Sequence, residues 1–208
     1  MPPIETEVKF HLPDPPGLRT RLLALGARSL GRSLEQNIRF EDAGRNLIRS
    51  NSLLRLRKDR KVRLTFKSVP AVVDPDVKQL TELEVEVADF DAMQRILAAL
   101  GYQPEQAYEK WRETLALGRT TCCLDALPFG DFLELEGPKQ AIQEVAKRLE
   151  LDWDKRIVLN YLQIFDIVRT RENLPFADVT FSNFAGRPVR LGPLLHLLEA
   201  GPPQPPGG

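Results

Sequence analysis

Charged side chains recur in this sequence at every second position. Glu5, Glu7 and Lys9 alternate with Ile4, Val8 and Phe10, so a strand through them carries charge on one face and apolar side chains on the other. The pattern returns at Arg55-Leu56-Arg57, Arg63-Leu64-Thr65-Phe66-Lys67, Glu82-Leu83-Glu84-Val85-Glu86, Lys110-Trp111-Arg112 and Glu134-Leu135-Glu136. One such pair alone describes a strand with a solvated face. Strands that face water usually mix signs with their neighbours, whereas here whole faces are acidic and others basic. Both sets are then aimed at a common object that holds metal cations and clustered negative charge. Carboxylate clusters with oxygen donors suit hard cations, Mg2+ or Mn2+, rather than zinc. Arginine and lysine suit phosphoryl oxygens, arginine through bidentate hydrogen bonds. A polyphosphate with bound metal uses both. The sequence has no glycine-rich phosphate loop, so side chains must do what backbone amides do elsewhere.

Composition narrows the field. The chain has 208 residues, with Lys plus Arg and Asp plus Glu both 29, for a formal net charge of zero. That length suits one domain with a small appendage, and the charge balance removes the electrostatic case for nucleic acid. No apolar run approaches the roughly 20 residues of a membrane helix, and no secretory pattern is visible at the N-terminus. Cys122 and Cys123 are adjacent, leave a strand on opposite faces and cannot form an ordinary disulfide, so a reducing cytoplasm is expected. Two histidines, His11 and His196, are too few for a zinc cluster and exclude most histidine base chemistry. His11 is expected on a surface loop.

The elements that must position these charges follow from the chain in order. Asp14-Pro15-Pro16 caps a helix carrying Leu18, Leu22, Leu23 and Leu25 and closing at Gly26. Extended chain with a pause at Gly31 runs to Phe40 through Leu34, Gln36 and Ile38, and a turn follows at Asp42-Ala43-Gly44. Strands are expected over 52–58 and 62–68, joined by a hairpin whose tip residues Arg60 and Lys61 are solvated. Residues 70–76 read as a mobile surface loop. The strand at 81–87 and the helix at 93–101 echo the first strand and helix, a weak internal repeat of a strand-helix-strand-strand unit. Strands over 106–117, 120–127 and 131–137 follow, then helices over 140–149 and 157–168. Trp111 and Trp153 are expected to pack on an outer face. From Phe176 the composition shifts. Val179, Phe181 and the 194–198 stripe are candidates to pack over one mouth of the sheet, and the Pro/Gly-rich end from Gly201 is expected to be disordered.

The fold class these elements predict is α+β: an eight-stranded antiparallel sheet closed into a tunnel-like barrel with a polar lumen and helices packed outside. Such a barrel is inverted, since unpaired buried charge is very costly and the lumen must stay wet or hold a ligand of matched charge. Residues 1–170 form the tunnel domain and 171–208 a C-terminal extension.

The motifs together resemble the CYTH, or triphosphate tunnel metalloenzyme, superfamily. The resemblance rests on Glu5-x-Glu7-x-Lys9, Gln36-Asn37-x-x-Phe40, Leu54-Arg55-Leu56-Arg57, Leu64-Thr65-Phe66-Lys67 and Glu82-x-Glu84. It continues through Lys110-Trp111-Arg112, Leu124-Asp125, Gly130-Asp131-Phe132-x-Glu134-x-Glu136-Gly137 and Asn160-Tyr161-Leu162. It implies a tunnel that binds a triphosphate lengthwise, with Glu5, Glu7, Asp125, Glu134 and Glu136 as metal-binding carboxylates. Lys9, Arg55, Arg57, Lys67, Lys110 and Arg112 are the implied phosphate contacts, and Glu82 and Glu84 further tunnel acids. Glu5, Glu7 and Lys9 would carry the catalytic step, an attack on a phosphoryl group by positioned water. Three departures stand out: Leu80-Thr81 where a basic residue is usual, Leu159-Asn160 where a lysine or serine precedes the late tyrosine, and Arg39 where an aromatic is usual. Lys155 or Arg156 is the candidate for the missing phosphate contact.

The activity implied is a metal-dependent triphosphatase acting on tripolyphosphate or an organic triphosphate, because no aromatic pair is placed to hold a nucleobase. The alternative is a class IV adenylate cyclase forming cyclic AMP and pyrophosphate from ATP. A third reading is a non-catalytic polyphosphate- or nucleotide-binding module. The partner expected is a small-molecule triphosphate, with no nucleic acid and no membrane, and the chain is a monomer or homodimer.

Overall fold

Eight antiparallel strands close on themselves in the computed structural model, which describes residues 4–201. The strands are β1 (Ile4–His11), β2 (Arg28–Asp42), β3 (Leu53–Lys58), β4 (Val62–Ser68), β5 (Lys78–Val87), β6 (Tyr102–Leu117), β7 (Thr120–Leu127) and β8 (Gly130–Glu136). Around the barrel they run β1-β5-β4-β3-β2-β6-β7-β8. The helices are α1 (Pro15–Ala24), α2 (Asn46–Arg49), α3 (Phe90–Ala99), α4 (Lys139–Arg148), α5 (Tyr161–Arg171) and α6 (Leu195–Leu198). The expected α+β closed barrel is the observed one. No helix among the described residues is long and apolar enough to cross a membrane.

The internal repeat holds at the level of topology. Exchanging β1 with β5, β2 with β6, β3 with β7 and β4 with β8 maps the strand order onto itself. Each half starts with a short strand, a ten-residue helix and a glycine just past its end, Gly26 and Gly101, with φ of 91° and 93°. That left-handed geometry favours glycine and turns the chain back onto the sheet. The helices start on aspartate caps: Asp14 accepts from the amide of Gly17, and Asp89 from that of Ala92.

Apolar residues of the strands point outward, as period-two reading requires. Val8, Phe10, Leu115, Leu117, Cys122, Leu133 and Leu135 pack against α1 and α4. Phe40 and Leu56, flanked by Ile38, Leu54 and Leu64, pack beneath α3. A third cluster fills one end of the barrel, where Tyr108, Phe129 and Phe132 meet Ile157, Tyr161, Phe165, Phe184, Leu191, Leu194 and Leu198. Each fully buried Leu or Phe contributes about 1.5–3 kcal/mol, so this end cap is a real part of the core.

That end is built by patching two gaps. β5 pairs with β1 only as far as Glu7, and Ile157 takes over on Lys9 with backbone bonds of 2.9 and 2.7 Å. β7 pairs with β6 only from Trp111 onward, and Val179 covers the exposed edge through bonds to Ala107 and Glu109, each 2.9 Å. Extended residue 157 therefore lies outside the helix expected there. That helix starts at Tyr161, where Asn160 and Gln163 form a capping box. In the extension, Val179 and Phe184 are buried while Phe181 stays 37% exposed, so Phe184 supplies the packing expected of Phe181.

The 70–76 segment is a surface loop as expected, with its far end held where Asp74 and Asp76 take Lys139 at 2.6 and 3.0 Å and Asp76 takes Arg156 at 3.0 Å. One further expectation is corrected. β5 begins at Lys78 rather than near residue 81, since its first residues pair with β1. The expected disorder of 202–208 lies outside the described residues.

Candidate functional site

The lumen inherits its acids from adjacent strands. β1 and β8 pair so that Glu7 lies opposite Glu136 and Lys9 opposite Glu134, with Glu5 one pleat further along the same face. One carboxylate oxygen from each of Glu5, Glu7 and Glu136 falls within 4.8 Å of the others. Like charges this close repel, and the shifts show it. Burial and the neighbouring Glu134 push the Glu136 carboxyl well above the usual range. Burial would also raise Glu7, but Lys78 and Lys9 bring it down to about 2. Glu134 is buried too, yet Arg112 and Lys9 hold it well below the usual range. An oxygen-only set of three carboxylates fits a hard divalent cation.

Bases line the rest of the wall, each held by an acid. Lys9 bonds Glu7 and lies 2.9 Å from Glu134, and Lys67 bonds Glu5 and lies 3.4 Å from Glu82. Arg55 reaches Tyr108 Oη and Thr65 Oγ1 at 3.3 Å and Glu84 at 3.9 Å. Arg57 stands 3.3 Å from both Glu35 and Glu84. Lys110 is 3.0 Å from Asp125 and 3.6 Å from Glu35. Arg112 bonds Asp125 and Glu134 at 2.5 Å and lies 3.6 Å from Glu136. Burial opposes the charge on Lys9 and Arg55, but their anionic and hydrogen-bonding partners raise both above their ordinary values. These cations stay charged although little water reaches them.

The capped end gives the lumen a floor. Tyr161 enters from the first turn of α5, its hydroxyl donates to Asp125 Oδ2 at 2.6 Å, and its ring lies 5.0 Å from Lys9 Nζ and 4.9 Å from Lys110 Nζ. Asp125 therefore has both oxygens committed to Lys110, Arg112 and Tyr161. It is not a member of the Glu5–Glu7–Glu136 cluster.

The structure thus gathers every implied residue on one inward surface, with Asp125 outside the Glu5–Glu7–Glu136 group and joined to Glu134 through Arg112. It also adds a base that the sequence reading did not assign: Lys78, two residues before Leu80 on the same face, with Nζ 2.8 Å from Glu7. Arg156 is buried elsewhere, bonding the carbonyls of Asp76, Trp153 and Gly201 and the Asp76 carboxylate, and Lys155 is exposed beside Asp152. Neither reaches the lumen. Glu86 lies on the rim, paired with Lys61 at 2.6 Å. Trp153 packs on Phe10, whereas Trp111 is 38% exposed under Arg32. Glu35, Asn37, Tyr108 and Tyr161 are lumen residues to which the sequence reading assigned no role. A signal for the first two existed: outward Leu34, Ile38 and Phe40 imply that Glu35, Asn37 and Arg39 face inward.

Known proteins resemble this chain in sequence and fold. The CYTH domain model matches residues 3–170. A Methanocaldococcus jannaschii protein, named provisionally as an adenylate cyclase, is 28% identical over 149 residues, 71% of this chain and 84% of that protein. The PH1012 protein of Pyrococcus horikoshii superposes with a TM-score of 0.66 at 27% identity, covering 76% of this chain and 98% of its own. A Hippeastrum protein, described as an adenylyl cyclase candidate with a dominant triphosphatase activity, gives 0.59 at 20% identity over 78% of this chain and 95% of its own. Its likeness is one of fold. With the family model spanning the whole barrel and the charged strands in their expected order, the chain belongs to the CYTH domain family, a family of metal-dependent enzymes that act on small triphosphates.

Proposed function

We propose that this chain is a triphosphatase that cleaves the terminal phosphoanhydride of tripolyphosphate or of an organic triphosphate. The observation that carries the reading is the lumen itself. Seven bases, Lys9, Arg55, Arg57, Lys67, Lys78, Lys110 and Arg112, converge on one surface beside three clustered carboxylates. Such a wall grips a phosphate chain without help from a base or sugar.

The floor sets the direction of entry. With Tyr161 and α5 across one end, the phosphates go in first and any organic group stays toward the mouth. The bases then exchange carboxylate partners for phosphoryl oxygens, which neutralises charge and aligns the chain. Glu5, Glu7 and Glu136 would hold Mg2+ or Mn2+, which supplies electrophilic activation of a phosphoryl oxygen when bound. Glu5 and Glu7 orient the attacking water, and Lys9 stabilises the charge that develops on the transferred group. Asp125, with both oxygens engaged, keeps Lys110 and Arg112 in place rather than serving as a ligand. Lys78 takes the phosphate contact expected from Lys155 or Arg156. The domain boundary is placed near residue 170, with Val179, Phe184, Leu191, Leu194 and Leu198 of the extension helping to cap the end of the reactive domain. The buried free thiols of Cys122 and Cys123 fit a reducing cytoplasm.

A second reading, adenylate cyclisation, is favoured by the name of the Methanocaldococcus relative. Incubation with tripolyphosphate and with ATP, in Mg2+ or Mn2+, followed by chromatography separates the two. Phosphate release from tripolyphosphate, abolished by a chelator, is expected. Cyclic AMP plus pyrophosphate as the main products from ATP would overturn the hydrolase, and binding of either compound without turnover would make the chain a binding module.

A further inference from the structure

Glu35 belongs to none of the motifs that carry the family resemblance, and the reaction proposed above does not use it. It lies on β2 between two basic strands, with Lys110 of β6 directly opposite. Its Oε1 is 3.3 Å from Arg57 Nη1 and 3.9 Å from Arg112 Nε, and its Oε2 is 3.6 Å from Lys110 Nζ. The residue is 3% exposed and its Oε2 has no hydrogen-bond partner among the described residues. Burial would raise its carboxyl, but Lys110, Arg112 and Arg57 lower it to about 2 and favour the carboxylate.

The contrast with Asp125 tells what kind of partner Glu35 is. Asp125 touches Lys110 and Arg112 through close, aligned bonds and so locks their geometry. Glu35 faces the same two cations, and Arg57, at distances where only the Arg57 contact is a hydrogen bond. Its effect is one of charge more than of geometry. Any phosphate oxygen drawn to Arg57, Lys110 and Arg112 meets a fixed negative charge among them.

We propose that Glu35 is a built-in competitor for the phosphate-binding bases, a positioning residue that limits how tightly the barrel holds an anionic oligophosphate and so promotes product release. The proposal rests on the triphosphate reading above. Cations without an internal counter-charge would bind substrate and product alike too tightly, which lowers KM without raising turnover. A carboxylate a few ångströms from the ligand opposes it by an amount that changes affinity about tenfold or more, even in a partly wet lumen.

The test is calorimetry on the full chain with pyrophosphate and tripolyphosphate as probes, with product-inhibition kinetics. Glu35→Gln keeps volume and removes charge. It is expected to bind pyrophosphate about tenfold more tightly, with a matching fall in the pyrophosphate inhibition constant and in KM. Glu35→Asp keeps the charge and is expected to stay near wild type. Weaker pyrophosphate binding by Glu35→Gln, or Glu35→Asp shifting as far as Glu35→Gln, would overturn the proposal, because a merely structural role moves affinity in that way. Asn37→Asp adds a carboxylate on the same face and keeps the question decidable should Glu35→Gln fail to fold. It is expected to weaken pyrophosphate binding by a similar factor, and unchanged or tighter binding would also overturn the proposal. If the wild-type chain binds neither probe, the triphosphate reading falls and takes this proposal with it. If it binds both and Glu35→Gln binds no tighter, only the role of Glu35 falls.

Discussion

Two walls of the barrel occupy equivalent places and carry opposite charge. β3 and β4 correspond to β7 and β8 under the exchange that maps the strand order onto itself. The first pair turns Arg55, Arg57 and Lys67 inward, and the second turns Asp125, Glu134 and Glu136 inward. Outward, both are apolar: Leu54, Leu56 and Leu64 on one wall, Cys122, Leu133 and Leu135 on the other. The outer faces pack against helices and cannot change character without losing the core. The inner faces meet apolar groups only at the floor, through Leu127 and Phe132, so the charge above it is free to diverge between halves. What constrains them is desolvation, which demands a counter-charge nearby. The basic wall finds Glu82 and Glu84 on β5 and Glu35 on β2. The acidic wall finds Lys110 and Arg112 on β6 and Lys9 on β1.

The acidic wall breaks most sharply at Glu136. Glu136→Gln is expected to lower turnover about a hundredfold or more, since even outer-shell partners of a metal alter affinity or activity by roughly ten- to a hundredfold. Its stability without metal should change little, because burial and the neighbouring Glu134 already oppose the charge of the Glu136 carboxylate. Glu134→Gln is the control: it removes the anion that holds Lys9 and Arg112, and should cost about 3 kcal/mol in denaturant unfolding. Equal stability of the two variants would erase the distinction between them.

The floor below both walls is tested next. Phe184 packs on Phe129, Phe165 and Phe176, and Phe184→Ala should cost about 3 kcal/mol. A melting temperature equal to wild type would show that the extension does not hold α5 in place.

On the basic wall, Arg57→Ala is expected to weaken tripolyphosphate binding about tenfold, measured by calorimetry, from loss of a charge-assisted contact of about 1.5 kcal/mol. The same change should lower thermal stability slightly, because Arg57 is paired with Glu35 and Glu84 rather than facing other bases unrelieved. Unchanged affinity would put Arg57 outside the ligand's reach. The smallest effect belongs to the rim, where Lys61 and Glu86 are more than half exposed. Lys61→Ala should stay within about 0.5 kcal/mol in stability and leave turnover unchanged; a larger shift would extend the functional surface to the mouth.

Much of this arrangement is legible without coordinates because period two is a local property. Glu5-x-Glu7-x-Lys9 declares which side chains share a face, and so do Arg55-x-Arg57 and Glu134-x-Glu136. The helix starts at Asp14 and Asp89 and the stops at Gly26 and Gly101 are equally local, since caps and left-handed turns depend on a few neighbouring residues. The order of charged strands was enough to name the family.

Pairing partners are a different matter, because they join residues far apart in the chain. Lys78 precedes the visible alternation of its strand, and only the register of β5 on β1 brings it to Glu7. Ile157 looks helical in sequence, but the edge that β5 leaves open on β1 holds it extended. Glu35 and Asp125 are both single acids beside basic strands, and their difference arises from distances set by the barrel's closure and by Tyr161 beneath. The sequence by itself determined which residues face inward, since alternation along a strand needs no partner. Only the tertiary structure decided which charges meet, because that depends on register and on how the end of the barrel is sealed.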